Sequence, residues 1–227
     1  MVEHRIGQVD DSVVLRHAIV SVSDKRGLAE FAAEILEAAP QLSLFSTGGT
    51  YRTLKDVLSG SERVTEIAEY TGQPETHGGL VKTLDWRIYL GILGERYNEH
   101  HIADRRRTGA KLFDLIVVNL YPFRESIASG ATDLERARGN IDIGGPTMIR
   151  AAAKNFPRVA VVCNPADYSR VIHEVRAGGG ALSLSTRFDL ARKAFVHVAE
   201  YDAAIGAYLR DIDPSAAAAT YLKTESE

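Results

Sequence analysis

Phe113-Asp114-Leu115-Ile116-Val117-Val118, running into Asn119-Leu120-Tyr121-Pro122-Phe123, decides the fold. An apolar run without polar alternation is what a strand covered on both faces requires. Arg158 to Cys163 repeats it. Upstream, His17 to Val22 and Leu42 to Phe45 are shorter runs, each ending in a small-polar loop. Helical spacing follows both: Leu28, Phe31, Ala32, Ile35 and Leu36 after the first, and Tyr51, Leu54, Val57 and Leu58 after the second. Strand, loop and helix alternate. The expected class is therefore α/β, an open and mostly parallel sheet with helices on both faces.

Around this frame, residues 1–12 read as a flexible N-terminal segment, 13–211 as one α/β domain and 212–227 as a tail. Gly91 to Gly109 reads as a charged helix ending in Arg105-Arg106-Arg107. Cations favour that end of the helix dipole, so the arginines read as a solvated terminus. Ser185 is expected to cap a long helix reaching about Arg210, packed through Phe188, Leu190, Ala194, Phe195, Val198 and Tyr201.

The chain has 227 residues, 45% hydrophobic and 25% charged, enough for a core without metal or disulfide support. A net charge of −3 argues against wholesale nucleic-acid or membrane-surface binding. The one cysteine, Cys163, reads as a buried small apolar residue and fits a reducing, cytoplasmic setting. No apolar run approaches the ~18 residues of a membrane span. The histidines lack metal-ligand spacing, and there is no Cys-x-x-Cys and no Gly-x-Ser-x-Gly elbow. No metal and no cofactor are expected.

Chemistry concentrates where strands end. Ser21-Val22-Ser23-Asp24-Lys25 supplies two hydroxyls and an ammonium. Ser46-Thr47-Gly48-Gly49-Thr50 supplies hydroxyls, and glycines whose amides can approach an anion closely. Side by side at the carboxyl ends of parallel strands, these loops suit a monophosphate. Neither is a Walker motif or a dinucleotide fingerprint, and a tight turn with a helix cap is the plainer alternative. Asn140-Ile141-Asp142-Ile143-Gly144-Gly145-Pro146 places three amides before a helix expected to start at Pro146, a setting that stabilises negative charge. Asp142 is an acid–base group or a helix cap. Tyr121, held extended by Pro122, is an acid–base group or a buried phenol. Lys82 beside Gly78-Gly79 is a ligand contact or a solvated side chain. Lys154, after Ala151-Ala152-Ala153, sits on a helix that must pack closely.

In this order, these pieces resemble the inosine-monophosphate cyclohydrolase domain of the bifunctional purine-biosynthesis enzyme, whose fold is methylglyoxal-synthase-like. The resemblance rests on Ser21–Lys25, Ser46–Thr50, Val81-Lys82-Thr83-Leu84, Val117–Phe123, Asn140–Pro146 and Arg150–Asn155, and covers about residues 13–210. It implies closure of the purine ring of 5-formamidoimidazole-4-carboxamide ribonucleotide, giving inosine monophosphate (IMP) and water. It further implies that Lys82 polarises the formyl group and that Tyr121, Asp142 and Lys154 move protons. The amides of Ile143 and Gly144 would face the oxyanion, and Asn119 would read the heterocycle or carboxamide. Ser21, Ser23, Lys25, Ser46, Thr47, Gly48, Gly49, Thr50 and Thr83 would hold the nucleotide and its phosphate. A homodimer is implied, with a formyltransferase expected on a separate chain.

One loop departs from the family. The usual Gly-Arg-Val-Lys-Thr-Leu-His-Pro, then His-Gly-Gly-Ile-Leu, is here Gly79-Leu80-Val81-Lys82-Thr83-Leu84-Asp85-Trp86, then Tyr89-Leu90-Gly91-Ile92-Leu93. Arg to Leu80 removes a charge and five donors, and His to Asp85 turns a possible cation into an anion. His77 or Arg87 is the expected replacement for a lost contact. The alternatives are a ring-closing enzyme for another formamido- or aminocarboxamide nucleotide, or a nucleotide-binding module without catalysis.

Overall fold

In the computed structural model, described over residues 6–73, 81–128 and 133–222, five strands form a parallel sheet. They are β2 (His17–Val22), β3 (Ser43–Ser46), β4 (Val64–Glu66), β5 (Leu115–Asn119) and β6 (Ala160–Val162), in the order β4-β3-β2-β5-β6. From β2 the chain winds outward through β3 to β4, then crosses to β5 and β6 on the other side. The winding direction reverses between β2 and β5, where an open sheet leaves its ligand crevice. The expected parallel architecture is the observed one.

Every residue of β5 is buried. Its side chains alternate between two cores, as strand geometry requires. Leu115 and Val117 join Ala18, Val20 and Leu44 under α1 (Leu28–Ala38), α2 (Gly48–Val57) and α9 (Tyr168–Ala177). Ile116 and Val118 join Ile19 and Phe45 under α4 (Trp86–Leu93), α8 (Gly144–Lys154) and α10 (Leu184–Arg210).

Several boundaries differ from expectation. Gly91–Gly109 is not one helix: α4 ends at Leu93, and α5 (Glu99–Thr108) starts afresh on an Asn98 cap. The long helix is capped by Ser183, whose hydroxyl accepts from Thr186 N, and not by Ser185. α8 begins at Gly144, two residues before Pro146, because Asp142 already caps the first turn. The N-terminal segment is anchored at its end. β1 (Ser12–Val14) pairs antiparallel with β7 (Ala181–Ser183), and the Asp10 and Asp11 carbonyls accept from the buried Arg187. Short helices α3 (Ile67–Thr71), α6 (Phe123–Ile127) and α7 (Leu134–Gly139) lie in the connections, and within the tail Pro214–Tyr221 is an exposed helix, α11.

Candidate active site

The loops leaving β2, β3 and β5 meet the start of α8 around a cavity of about 510 Å³. Among its lining residues are Ser21, Ser23, Lys25, Thr47, Gly48, Gly49, Thr50, Lys82, Thr83, Asn119, Tyr121, Asp142, Ile143 and Gly144. These are fourteen of the sixteen positions singled out from sequence. Ser46 and Lys154 are the two left out.

The wall formed by α2 suits an anion. Gly48 has φ +50°, a conformation that disfavours side chains, and a Cβ there would sit 3.4 Å from Lys82 Nζ. A Cβ on Gly49 would lie 3.9 Å from Lys25 Nζ. Two ammonium groups therefore hang over the unfilled first turn of a ten-residue helix. Neither makes an ion pair among the described residues. Free amides, the positive end of the helix dipole and two cations together favour a phosphate.

The hydroxyls divide into two groups. Ser21 Oγ and Thr47 Oγ1 lie 3.4 Å apart and face the cavity. Thr50 reaches it too, but its hydroxyl accepts from Val22 N at 3.1 Å and donates to Val22 O at 3.0 Å, which fastens α2 to β2. Ser46 does not reach the cavity. It is fully buried and donates to Val20 O at 2.6 Å, bracing β3 against β2. Its expected phosphate contact is thus corrected: as the last residue of a central strand, it points into the sheet.

Asn119 also differs from expectation. Its Oδ1 accepts from Ser23 N at 2.7 Å and Asp24 N at 2.9 Å, while Nδ2 donates to Asp24 O at 2.9 Å. The amide shapes the phosphate-side loop, which leaves one N–H for a ligand.

Asp142 sits at the start of α8. Its Oδ1 accepts from Gly145 N at 2.9 Å, and a Cβ on Gly145 would fall 2.6 Å from Asp142 Oδ2 and 2.6 Å from Leu120 Cδ2. Only glycine lets the carboxylate lie this close. Burial raises the Asp142 pKa above the usual carboxylate range, and the Gly145 and Gly144 amides pull it back only in part. The Gly144 amide faces this carboxylate as well as the cavity. Thr83 packs on the same turn, since a Cβ on Gly144 would meet its Oγ1 at 2.7 Å. Tyr121 is 55% exposed at the cavity rim.

Lys154 is exposed at the opposite end of α8. Ten residues at 1.5 Å rise separate it from Gly144 by about 15 Å, across the sheet from the cavity. Of the residues expected to move protons, Tyr121 and Asp142 line this cavity and Lys154 does not.

The divergent loop does not act as expected either. Asp85 is buried, caps α4 through Arg87 N at 2.7 Å and accepts from Gln73 Nε2 at 2.8 Å. Arg87 donates through Nη1 to the Tyr70 and Thr71 carbonyls and is not among the residues that line the cavity. Leu80 and His77 lie outside the described residues. Tyr89, marked from sequence only as a departure, is half-buried beside Thr147 and Asp142, with its phenol pushed up to about 12 by desolvation. Tyr201, read as a packing residue, holds the Asp142 backbone. No local signal could reveal this, because 59 positions separate the two. Cys163 is buried, its thiol raised to about 11, in keeping with an inert apolar role.

A second cavity of about 740 Å³ shares Ser23, Asn119 and Tyr121 with the first and extends to Cys163, His197 and Tyr201. Among the described residues no cluster of three or more His, Cys, Asp or Glu is placed to hold a metal. No helix there is long and apolar enough to cross a membrane.

The MGS-like domain family matches residues 27–147, and the family described as AICARFT/IMPCHase bienzyme matches 152–227. Similar curated proteins carry the name bifunctional purine biosynthesis protein PurH. That of Ruminiclostridium cellulolyticum is 42% identical over 217 residues, 93% of this chain and 41% of its own length. That of Neisseria meningitidis serogroup A is 46% identical over 198 residues, 87% of this chain and 36% of its own. The chain thus spans about two fifths of the length of these relatives. A solved structure titled crystal structure of ForH superposes with a TM-score of 0.69 at 36% identity, covering 85% of this chain and 97% of that one. The chain therefore belongs to the MGS-like domain family and is a homologue of the N-terminal part of the PurH proteins.

Proposed function

We propose that the cavity between β2, β3, β5 and α8 closes the purine ring of 5-formamidoimidazole-4-carboxamide ribonucleotide to give IMP and water. The observation that carries this reading is the meeting of Lys82 and Asp142 in one cavity whose other wall is an anion cradle. The phosphate would rest on the first turn of α2 under Lys25, with the Ser21 and Thr47 hydroxyls beside it, which leaves Lys82 for the base end. The base would then extend toward Tyr121 and Asp142.

The carboxamide nitrogen attacks the formyl carbon within the same molecule. Well-oriented intramolecular attack gains up to ~7–11 kcal/mol over a bimolecular one, so binding one conformer supplies much of the rate. A C–N bond forms and the formyl oxygen takes up negative charge. The Lys82 ammonium is the cation available to face it. Nitrogen loses protons and the oxygen departs as water, which requires a group to accept one proton and deliver another. Asp142, with its raised pKa, and the exposed Tyr121 phenol suit that exchange.

The test is to mix the purified chain with this ribonucleotide and follow purine absorbance. Formation of IMP, strongly reduced in Lys82→Met and Asp142→Asn, is the expected outcome. A folded, inactive wild-type chain sinks the reading. A second reading is a ring-closing enzyme for another formamido- or aminocarboxamide nucleotide. Tyr89 favours it, because a phenol beside Asp142 stands where the family carries an imidazole. Faster turnover of an analogue than of the purine precursor is the outcome that selects it. We further propose that the chain acts as a homodimer, which sedimentation tests.

A further inference from the structure

Tyr201 lies on α10, 59 residues beyond Asp142, yet its phenol oxygen accepts the Asp142 N–H at 2.8 Å. The same oxygen lies 3.4 Å from the Asn140 carbonyl, toward which its proton points. The ring is 8% exposed and meets Phe123 edge-on, with centroids 6.3 Å apart at 72°. One side chain thus touches both loops that hold the proposed acid–base groups. It reaches the turn of Asp142 by a hydrogen bond and the Tyr121-Pro122-Phe123 segment by ring packing. Asp142 is then held at two points, its N–H by Tyr201 and its carboxylate by Gly145 N. α10 is a rigid reference for this purpose, since it lies along both α8 and β6.

We propose that Tyr201 is a positioning residue that sets the depth and direction of the Asp142 carboxyl group in the cavity. This deepens the ring-closing reading and rests on it for its catalytic consequence. Without the hydroxyl, the Asp142 N–H loses its acceptor and must turn toward water to regain one, because an unpaired buried amide is costly. The carboxyl turns with it. The titratable groups beside Asp142 are Tyr89 from α4 and Tyr201 from α10, and Lys25, Lys82 and Tyr121 line the same cavity.

The test compares the wild type with Tyr201→Phe, which keeps the ring and its packing on Phe123. Two readouts are taken: the pH profile of kcat/KM, and the titration of the Asp142 carboxyl by NMR on carbon-13-labelled protein. Expected are a kcat lower by about 10²-fold, as a misplacement near 1 Å can produce, and a KM within about 3-fold. Asp142 titration should fall toward the ordinary carboxylate range, and the matching limb of the pH profile should move with it. Unchanged Asp142 titration overturns the proposal, whatever the activity. An inactive wild type sinks the ring-closing reading alone, since the titration still decides whether Tyr201 holds the carboxyl.

Discussion

At the edge of the sheet where β5 begins, Arg158 donates to the carbonyls of Gly91, Ile92, Gly94 and Phe113 and pairs with Asp114 at 3.4 Å. Nearby, Arg187 is fully buried and donates to the carbonyls of Asp10, Asp11, Phe156, Pro157 and Leu182. At the opposite edge, where β2, β3 and β5 end, Lys25 and Lys82 are exposed above glycine backbone without an ion pair among the described residues. The first edge spends its cations on the protein's own oxygens; the second leaves them open. Saturated guanidinium groups are structural staples, because their donors have no capacity left. Unsaturated ammonium groups beside uncovered amides are what a ligand can use. α8 runs between the two edges, so Asp142, just before its first turn, and Lys154, twelve positions on at its last residue, fall on opposite sides of this division.

The largest test of the contrast is Asp114→Ala. It removes the only carboxylate paired with buried Arg158 among the described residues, along with the acceptor of Arg16 N and His17 N. Leaving a buried charge uncompensated costs about 3–5 kcal/mol, to be read as a lower urea midpoint. A loss below about 1 kcal/mol would mean that the carbonyls alone suffice.

Gly145→Ala comes next. The added methyl overlaps Asp142 Oδ2 and Leu120, and such overpacking costs typically about 1–3 kcal/mol. It should also end ring closure by expelling the carboxylate. A variant with full activity and wild-type melting would show that the close approach is incidental.

Asp142→Asn should have the opposite sign in stability. Folding raises the Asp142 pKa, so the carboxyl group favours the fold most at pH below its unfolded pKa. That advantage is lost as pH rises through the folded value. At neutral pH the amide escapes the desolvation cost and still accepts from Gly145 N, so Tm should rise slightly. The gain should vanish on acidification below the carboxylate range, while ring closure falls by about 10²–10⁴-fold. A variant less stable than wild type at neutral pH would contradict burial as the cause of the shift.

The smallest effect on stability belongs to Lys25→Met and Lys82→Met, within about 0.5 kcal/mol of wild type as exposed substitutions usually are. Calorimetry with inorganic phosphate should nonetheless show weakened binding, most in Lys25→Met. Unchanged affinity would move the anion site away from the first turn of α2.

The sequence by itself determined the sheet, the two-sided core and the loops that face the cavity. Run length and spacing carry that information locally. Buried strands such as Leu115–Asn119 need apolar residues on both faces, and loops over a ligand need glycine and small hydroxyls. Fourteen of the marked positions line one cavity for that reason. Only the tertiary structure could divide the marked residues by task. Ser46 and Thr50 look alike in sequence, yet one points into the sheet while the other fastens α2 and still reaches the cavity. Asn119 carries the right atoms for a ligand but uses most of them on the Ser23-Asp24 loop. Lys154 and Asp142 were marked for one proton network, yet a rigid helix carries Lys154 about 15 Å from the Gly144 turn beside Asp142. Tyr201 reaches Asp142 from 59 positions away. Hydrogen-bond partners and the direction of a side chain depend on what packs against it. That is decided by contacts between distant segments, which no local pattern records.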